Sequence, residues 1–132
     1  MDLSIDVTLK GKLDPVIEQV TEALKAQGFG ILTRIDVDKT LKTKIGADFR
    51  PYVILGACNP GLAHQAISAR PDVGLMLPCN VVVDQTGTDE CLVRFIDPGA
   101  MMQFGDLGND KTLARVGAEA KAKIELAAAS LG

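Results

Sequence analysis

The chain has 132 residues and a net charge of −3 at neutral pH, a size typical of one domain, which we expect to span residues 1–132. Hydrophobic residues make up 47% and charged residues 23% of the chain, a composition typical of a globular protein with an apolar core. The net negative charge and the lack of a cluster of basic residues argue against nucleic-acid binding. No apolar stretch approaches the length of about 20 residues that a membrane helix needs.

The three cysteines are an odd number and lack the Cys-x-x-Cys spacing of metal and redox motifs. We therefore expect reduced thiols in a cytoplasmic protein rather than a disulfide framework. The first residues alternate polar and apolar side chains, without the basic start and long apolar stretch of a signal peptide. This pattern also favours a location in the cytoplasm.

In the first part of the chain, alternation of apolar and polar residues predicts strands over residues 2–10 and 30–37. A helix is predicted between them, with Asp14 as its N-cap, Pro15 in its first position and Gly28 as its stop. In the second strand, alternation is expected to place four side chains on one face: Ile31, Thr33, Ile35 and Val37.

The middle of the chain begins with a short predicted helix over residues 38–45, followed by a continuous apolar run over residues 52–58. Such a run is typical of a central strand covered on both faces. Asn59 can cap the next helix and Pro60 can open it. That helix is expected to turn four side chains inward: Leu62, Ala63, Ala66 and Ile67.

Two short strand halves are predicted over residues 74–77 and 79–83, interrupted by Pro78, which indicates a bulge, an edge or a bend. A hairpin turn over residues 85–89 leads into a return strand over residues 91–96.

A glycine-rich stretch then precedes a long helix at about residues 110–130, with an apolar stripe at helical spacing: Leu113, Val116, Ala120, Ile124 and Ala127. The hairpin requires antiparallel pairing, so the pattern favours a two-layer α+β domain with helices packed on one face of an antiparallel or mixed sheet. A parallel, doubly wound sheet is the less favoured alternative.

Two short segments carry the functional signal, Cys58-Asn59-Pro60 and Pro78-Cys79-Asn80. Each places a thiol beside an asparagine and a proline at the boundary of a predicted element, where these residue types fit well. We expect the two corners to share one site. Cys58 would lie before a helix N-terminus, which stabilises a thiolate, although a small buried hydrophobic residue is the commoner role of a free cysteine.

Two further polar residues belong to the predicted site. Asn80 lies inside an apolar strand, where its amide needs a backbone or ligand partner, and His64, the only histidine, lies one helical turn after Pro60. The predicted ligand-binding residues are therefore Cys58, Asn59, His64, Cys79 and Asn80.

Three functions fit this pattern, and no cofactor or catalysed reaction is identified by it. The first is a ligand-binding or thiol-based module for a small molecule. The second is a dimeric interaction or scaffold domain in which the corners only shape turns. The third is a weak metal site on Cys58, Cys79 and His64, which lacks a fourth ligand.

The segments Tyr52–Pro60 and Gly74–Val83, together with Phe29-Gly30 and Thr40-Leu41, resemble the domain-of-unknown-function family 302 over nearly the whole chain. The resemblance implies a two-layer α+β fold of β-α-β(4)-α type, similar in outline to a TATA-binding-protein half domain, and a homodimer. It does not imply DNA binding, since function depends on the site and not on the fold.

Overall fold

The computed structural model describes residues 2–132 and contains a five-stranded antiparallel sheet. The order across the sheet is β1-β5-β4-β3-β2, so β4 is the central strand. Every neighbouring pair is antiparallel. The strands are β1 (Ser4–Lys10), β2 (Gly30–Asp36), β3 (Tyr52–Cys58), β4 (Cys79–Gly87) and β5 (Glu90–Ile96).

Helices alternate with the strands along the chain and then follow the β4–β5 hairpin. They are α1 (Leu13–Ala26), α2 (Val37–Ile45), α3 (Pro60–Ala69), α4 (Pro98–Met101) and α5 (Lys111–Leu131), with 3₁₀ turns at Pro71–Met76 and Gly105–Asn109. Helix α5 packs against α1, α3, α4 and β1. The predicted α+β class with an antiparallel sheet is confirmed. Within residues 2–132, no helix has the length and apolar character to cross a membrane.

One face of the sheet forms the core. Alternate residues of β3, β4 and β5 point to this inner face because side chains along a strand alternate between its two sides, and they are buried: Val53, Leu55, Ala57, Val81, Val83, Cys91, Val93 and Phe95. Helices α1 and α5 cover them with an aliphatic stripe that includes Val20, Leu24, Leu113 and Ile124. The predicted apolar stripe of α5 is therefore confirmed.

The outer face of the sheet carries a buried carboxylate. The Asp84 side chain is 1% exposed and accepts hydrogen bonds from Arg50 Nε at 2.7 Å, Arg50 Nη2 at 3.1 Å and Arg94 Nη1 at 3.0 Å. The Arg50 guanidinium holds the pKa of Asp84 below its ordinary value, and Arg94 adds to the effect. Charge-assisted hydrogen bonds of this kind are stronger than neutral ones, so they hold β4, β5 and the segment before β3 together.

The predicted start of α1 is wrong by two residues. The helix begins at Leu13 without a side-chain cap, and Asp14 lies in its first turn, where it accepts a hydrogen bond from Arg34 Nη2 at 3.1 Å. A proline is tolerated throughout the first turn because those N–H groups have no partner within the helix. Pro15 therefore indicates that a helix starts nearby but not at which residue.

The predicted strand half over residues 74–77 is also wrong. Residues 74–76 belong to the 3₁₀ turn Pro71–Met76, in which Val73 N donates to Arg70 O at 2.9 Å. The bond between Leu77 and Pro78 is cis, and β4 begins only at Cys79. Proline offers no N–H to a neighbouring strand, so pairing starts after it.

A bulge in β2 overturns the predicted common face of that strand. Ile31 is opposite Ala57 and Thr33 is opposite Gly56, so two steps along β2 match one step along β3. The extra residue, Leu32, sends Ile31 to the inner face and Thr33 to the outer face. Simple alternation in the sequence does not reveal such an insertion.

Candidate functional site

A cavity of about 340 Å³ lies where β3 ends and β4 begins, enclosed by α3, α4 and α5. Its floor consists of buried apolar side chains: Leu62, Ala66, Met101, Met102, Val116 and Ala120. Leu32 and Ile67 also line it but remain 67% and 44% exposed, so they mark its mouth. The volume falls within the range of about 300–1,000 Å³ that is usual for small-molecule sites.

The two predicted cysteines both line this cavity. Cys58 ends β3 and Cys79 begins β4, and the register places Ala57 directly opposite Cys79, so the two thiols come from adjacent strand ends. Cys79 is only 7% exposed, whereas Cys58 is half-buried. Burial, and secondarily the neighbouring Cys58, raises the pKa of Cys79 to about 11. Cys79 is therefore a neutral thiol near pH 7.

Asn59 joins the cavity wall to the start of α3. Its Oδ1 accepts a hydrogen bond from Leu62 N at 3.2 Å, which confirms the predicted N-cap. Its Nδ2 lies against Gly28, where a Cβ would be 3.1 Å away, and Gly28 also has a φ of 84°. The left-handed backbone and this close approach both favour glycine at the end of α1.

Gly56 allows three strands to meet tightly beside the two cysteines. A Cβ on Gly56 would collide with Thr33 Oγ1 on β2 and would lie 2.8 Å from Pro78 Cγ, just before β4. A real Cβ cannot occupy this space without movement of its neighbours. Glycine at position 56 therefore fixes how closely the ends of β2 and β4 approach β3.

The wall opposite α3 is built by the short helix α4. Asp97 caps it by accepting hydrogen bonds from Gly99 N at 2.8 Å and Ala100 N at 3.3 Å, and it pairs with Lys121 Nζ at 3.1 Å. A Cβ on Gly117 of α5 would lie 3.0 Å from Met102 Cβ. The lack of a side chain at Gly117 thus lets α4 pack closely and brings Met101 and the following Met102 to the cavity.

The structure brings together Cys58, Asn59 and Cys79 but not the other two predicted residues. Asn80 is exposed and faces the outer side of the sheet, opposite Gly56, because successive strand residues point in opposite directions. Solvent is available to its amide. His64 is exposed on α3 and is not among the residues that line the cavity.

Ile67 was expected to face inward, and this is wrong. Leu62 and Ala66, four residues apart, form the buried stripe of α3, and Ile67 lies beside it at the mouth of the cavity. Sequence reasoning also missed the role of Met101, Met102 and Gly117. The only signal for α4 was the order Asp97-Pro98, a capping residue followed by a proline, which is a typical helix start.

The cavity is chemically simple. Its lining is almost entirely apolar, and among the residues that line it only Cys58, Cys79 and Asn59 carry a thiol or an amide side chain. Across residues 2–132, no group of three or more His, Cys, Asp or Glu side chains is placed to hold a metal ion. An apolar enclosure with a few polar groups is the usual form of a small-molecule site.

No protein of curated function matches the chain. A crystal structure of the uncharacterized conserved protein DUF302 from Bacillus stearothermophilus is similar, with 28% sequence identity and a TM-score of 0.86 over 100% of both chains. The family model described as Domain of unknown function DUF302 matches residues 5–131. The chain therefore belongs to the DUF302 family.

Proposed function

We propose that this protein is a binding module for a small apolar molecule, which it holds in the cavity between α3, α4 and α5. The observation that carries the proposal is the cavity itself, about 340 Å³ in volume and lined almost entirely by apolar side chains. A polar ligand would lose its hydrogen bonds with water in such a site without replacement. An apolar ligand gains about 25 cal/mol for each Å² of surface that it buries.

The thiols have different roles in this proposal. Cys79 is buried and its pKa is raised to about 11, so it serves as a neutral part of the wall. Cys58 is half-buried and lines the cavity, so it is the thiol available for reaction or for a soft contact. Asn59 would orient the polar end of a ligand. The proposal does not require His64 or Asn80.

The test is a titration with the uncharged fluorophore N-phenyl-1-naphthylamine, which brightens in apolar surroundings. We expect saturable binding of one probe per chain. Ala120→Leu places extra carbons in the floor of the cavity and should abolish probe binding. Ala118→Leu, on the exposed side of the same helix, should leave probe binding unchanged. If wild type, Ala120→Leu and Ala118→Leu bind the probe equally, the probe binds outside the cavity and the proposal is refuted.

We also propose that the protein works in the cytoplasm with reduced thiols.

We further propose that two copies of the chain pair through the outer face of the sheet. Three apolar side chains on this face, Ile54, Val82 and Leu92, are only half-buried, and Ile35 is 48% exposed. Exposed apolar patches with charged neighbours are typical of protein contacts. Light scattering should give the mass of a dimer for the wild type and of a monomer for Val82→Asp, with Ala118→Asp as control.

A further inference from the structure

The cavity changes in character from its mouth to its floor. Leu32 and Ile67 at the mouth are 67% and 44% exposed, whereas Leu62 and Ala66 on the floor are 5% and 1% exposed. Cys58 lines the same space and is intermediate in exposure. A ligand in the cavity would therefore have an end buried among hydrocarbon groups and an end near solvent, with a thiol available along its length.

The floor offers nothing to a polar group. The Cys79 thiol is 7% exposed, lines the cavity and takes part in none of the side-chain hydrogen bonds formed among residues 2–132. Its raised pKa keeps it uncharged. A methylene group needs about as much room as a water molecule, about 30 Å³ in the liquid. The cavity, at about 340 Å³, thus has room for a chain of about ten carbons.

The start of α3 carries a backbone donor three residues after Cys58. The backbone N–H of Leu62 donates to Asn59 Oδ1 and that of Ala63 donates to Asn59 O. Pro60 has no N–H, so Gly61 is the first residue of the helix with an N–H, and within the described chain that group donates to no acceptor. Gly61 is not among the residues that line the cavity, so this N–H takes no part in the reaction proposed below.

From the cavity and its two unlike cysteines, we infer that the ligand is a medium-length acyl chain and that Cys58 receives it covalently from an acyl thioester. This inference rests on the proposed function, because the chain must first enter the cavity. It adds to that function the chemical class of the ligand, the residue that accepts the acyl group and the compound that donates it.

The reaction is a transthioesterification and needs no oxidant or reductant. The sulfur of Cys58 attacks the carbonyl carbon, a new carbon–sulfur bond forms, and the bond between that carbon and the carrier sulfur breaks. The carrier leaves as its thiolate and takes up the proton that Cys58 released. The hydrocarbon tail lies on the floor formed by Leu62, Ala66 and Ala120.

The test compares decanoyl and acetyl thioesters of coenzyme A, each below its micelle concentration, with intact mass as the readout. We expect one decanoyl group per wild-type chain, removed by hydroxylamine, added at least about tenfold faster than acetyl because the longer chain gains buried surface. Cys58→Ser should lose the adduct, and Cys79→Ala should keep it. Equal rates for the two thioesters, or an adduct at another cysteine, would overturn the inference.

A second set of variants tests the role of the floor. Ala120→Leu should slow decanoyl transfer at least about tenfold more than it slows acetyl transfer, since a two-carbon group does not reach the floor. Ala118→Leu serves as the matched control. If wild type binds N-phenyl-1-naphthylamine but transfers no decanoyl group, the covalent inference fails and the proposed function stands. If it binds neither, both fail.

Discussion

Gly56→Ala is the substitution that most directly tests how the strand ends form the site. In an ordinary strand, replacing glycine by alanine stabilises the fold by about 0.5–1 kcal/mol. Here the new Cβ would collide with Thr33 Oγ1 and lie 2.8 Å from Pro78 Cγ. Overpacking of this kind costs about 1–3 kcal/mol, so the clash outweighs the gain.

We therefore expect Gly56→Ala to lower the free energy of unfolding by about 2 kcal/mol, which for a domain of this size lowers the melting temperature by roughly 6–10 °C. Urea denaturation with an unchanged slope would measure it. Gly30→Ala is the matched control, because a Cβ there would meet nothing within 4 Å.

The two clashing neighbours can be separated by a double-mutant cycle. Thr33→Ala removes one of them, so the combination with Gly56→Ala should recover about 1 kcal/mol relative to the sum of the single effects. The Pro78 ring would account for the remainder. If Gly56→Ala is as stable as wild type, or if Thr33→Ala gives no recovery, the close approach of the three strands is not what glycine provides here.

Three further predictions concern the titratable groups. Asp84→Asn should lower the free energy of unfolding by about 2 kcal/mol at pH 7, as expected for the loss of charged hydrogen bonds. Because Arg50 lowers the pKa of Asp84 in the folded state, the difference in stability between wild type and variant should shrink as the pH falls below about 4. Urea denaturation at a series of acidic pH values would measure it. The raised pKa of Cys79 has the opposite effect on stability. Between about pH 9 and 11 the unfolded chain loses this proton while the folded chain keeps it, so wild type should lose more stability than Cys79→Ala over that range. Parallel curves of stability against pH for the two proteins would contradict this prediction. Iodoacetamide at pH 8 should modify Cys58 before either buried thiol, with peptide mapping as the check.

Much of the fold could be predicted from local patterns. The apolar run of β3, the Asn59-Pro60 start of α3 and the stripe of α5 each reflect a short-range rule that tertiary packing did not override. The proximity of the Cys58 and Cys79 corners was expected from neighbouring strand ends, and the antiparallel register brings them together.

The rest of the site depends on contacts between distant segments. The bulge at Leu32 is set by pairing with β3, and the wall at Met102 requires α4 to pack on Gly117 of α5. Asn80 seemed to need a partner because its amide lies inside an apolar strand. The outer face at that position is exposed instead, which supplies water to the amide.

The central claim is that the cavity receives an apolar chain, and a crystal structure grown with 1-decanol tests it most directly. We predict continuous density for the alcohol between Leu62, Ala66 and Met102, with its hydroxyl group towards Cys58 and Asn59, and no such density in Ala120→Leu crystals grown in the same way. A cavity without the alcohol in the wild type, or alcohol bound only on the outer face of the sheet, would contradict the account.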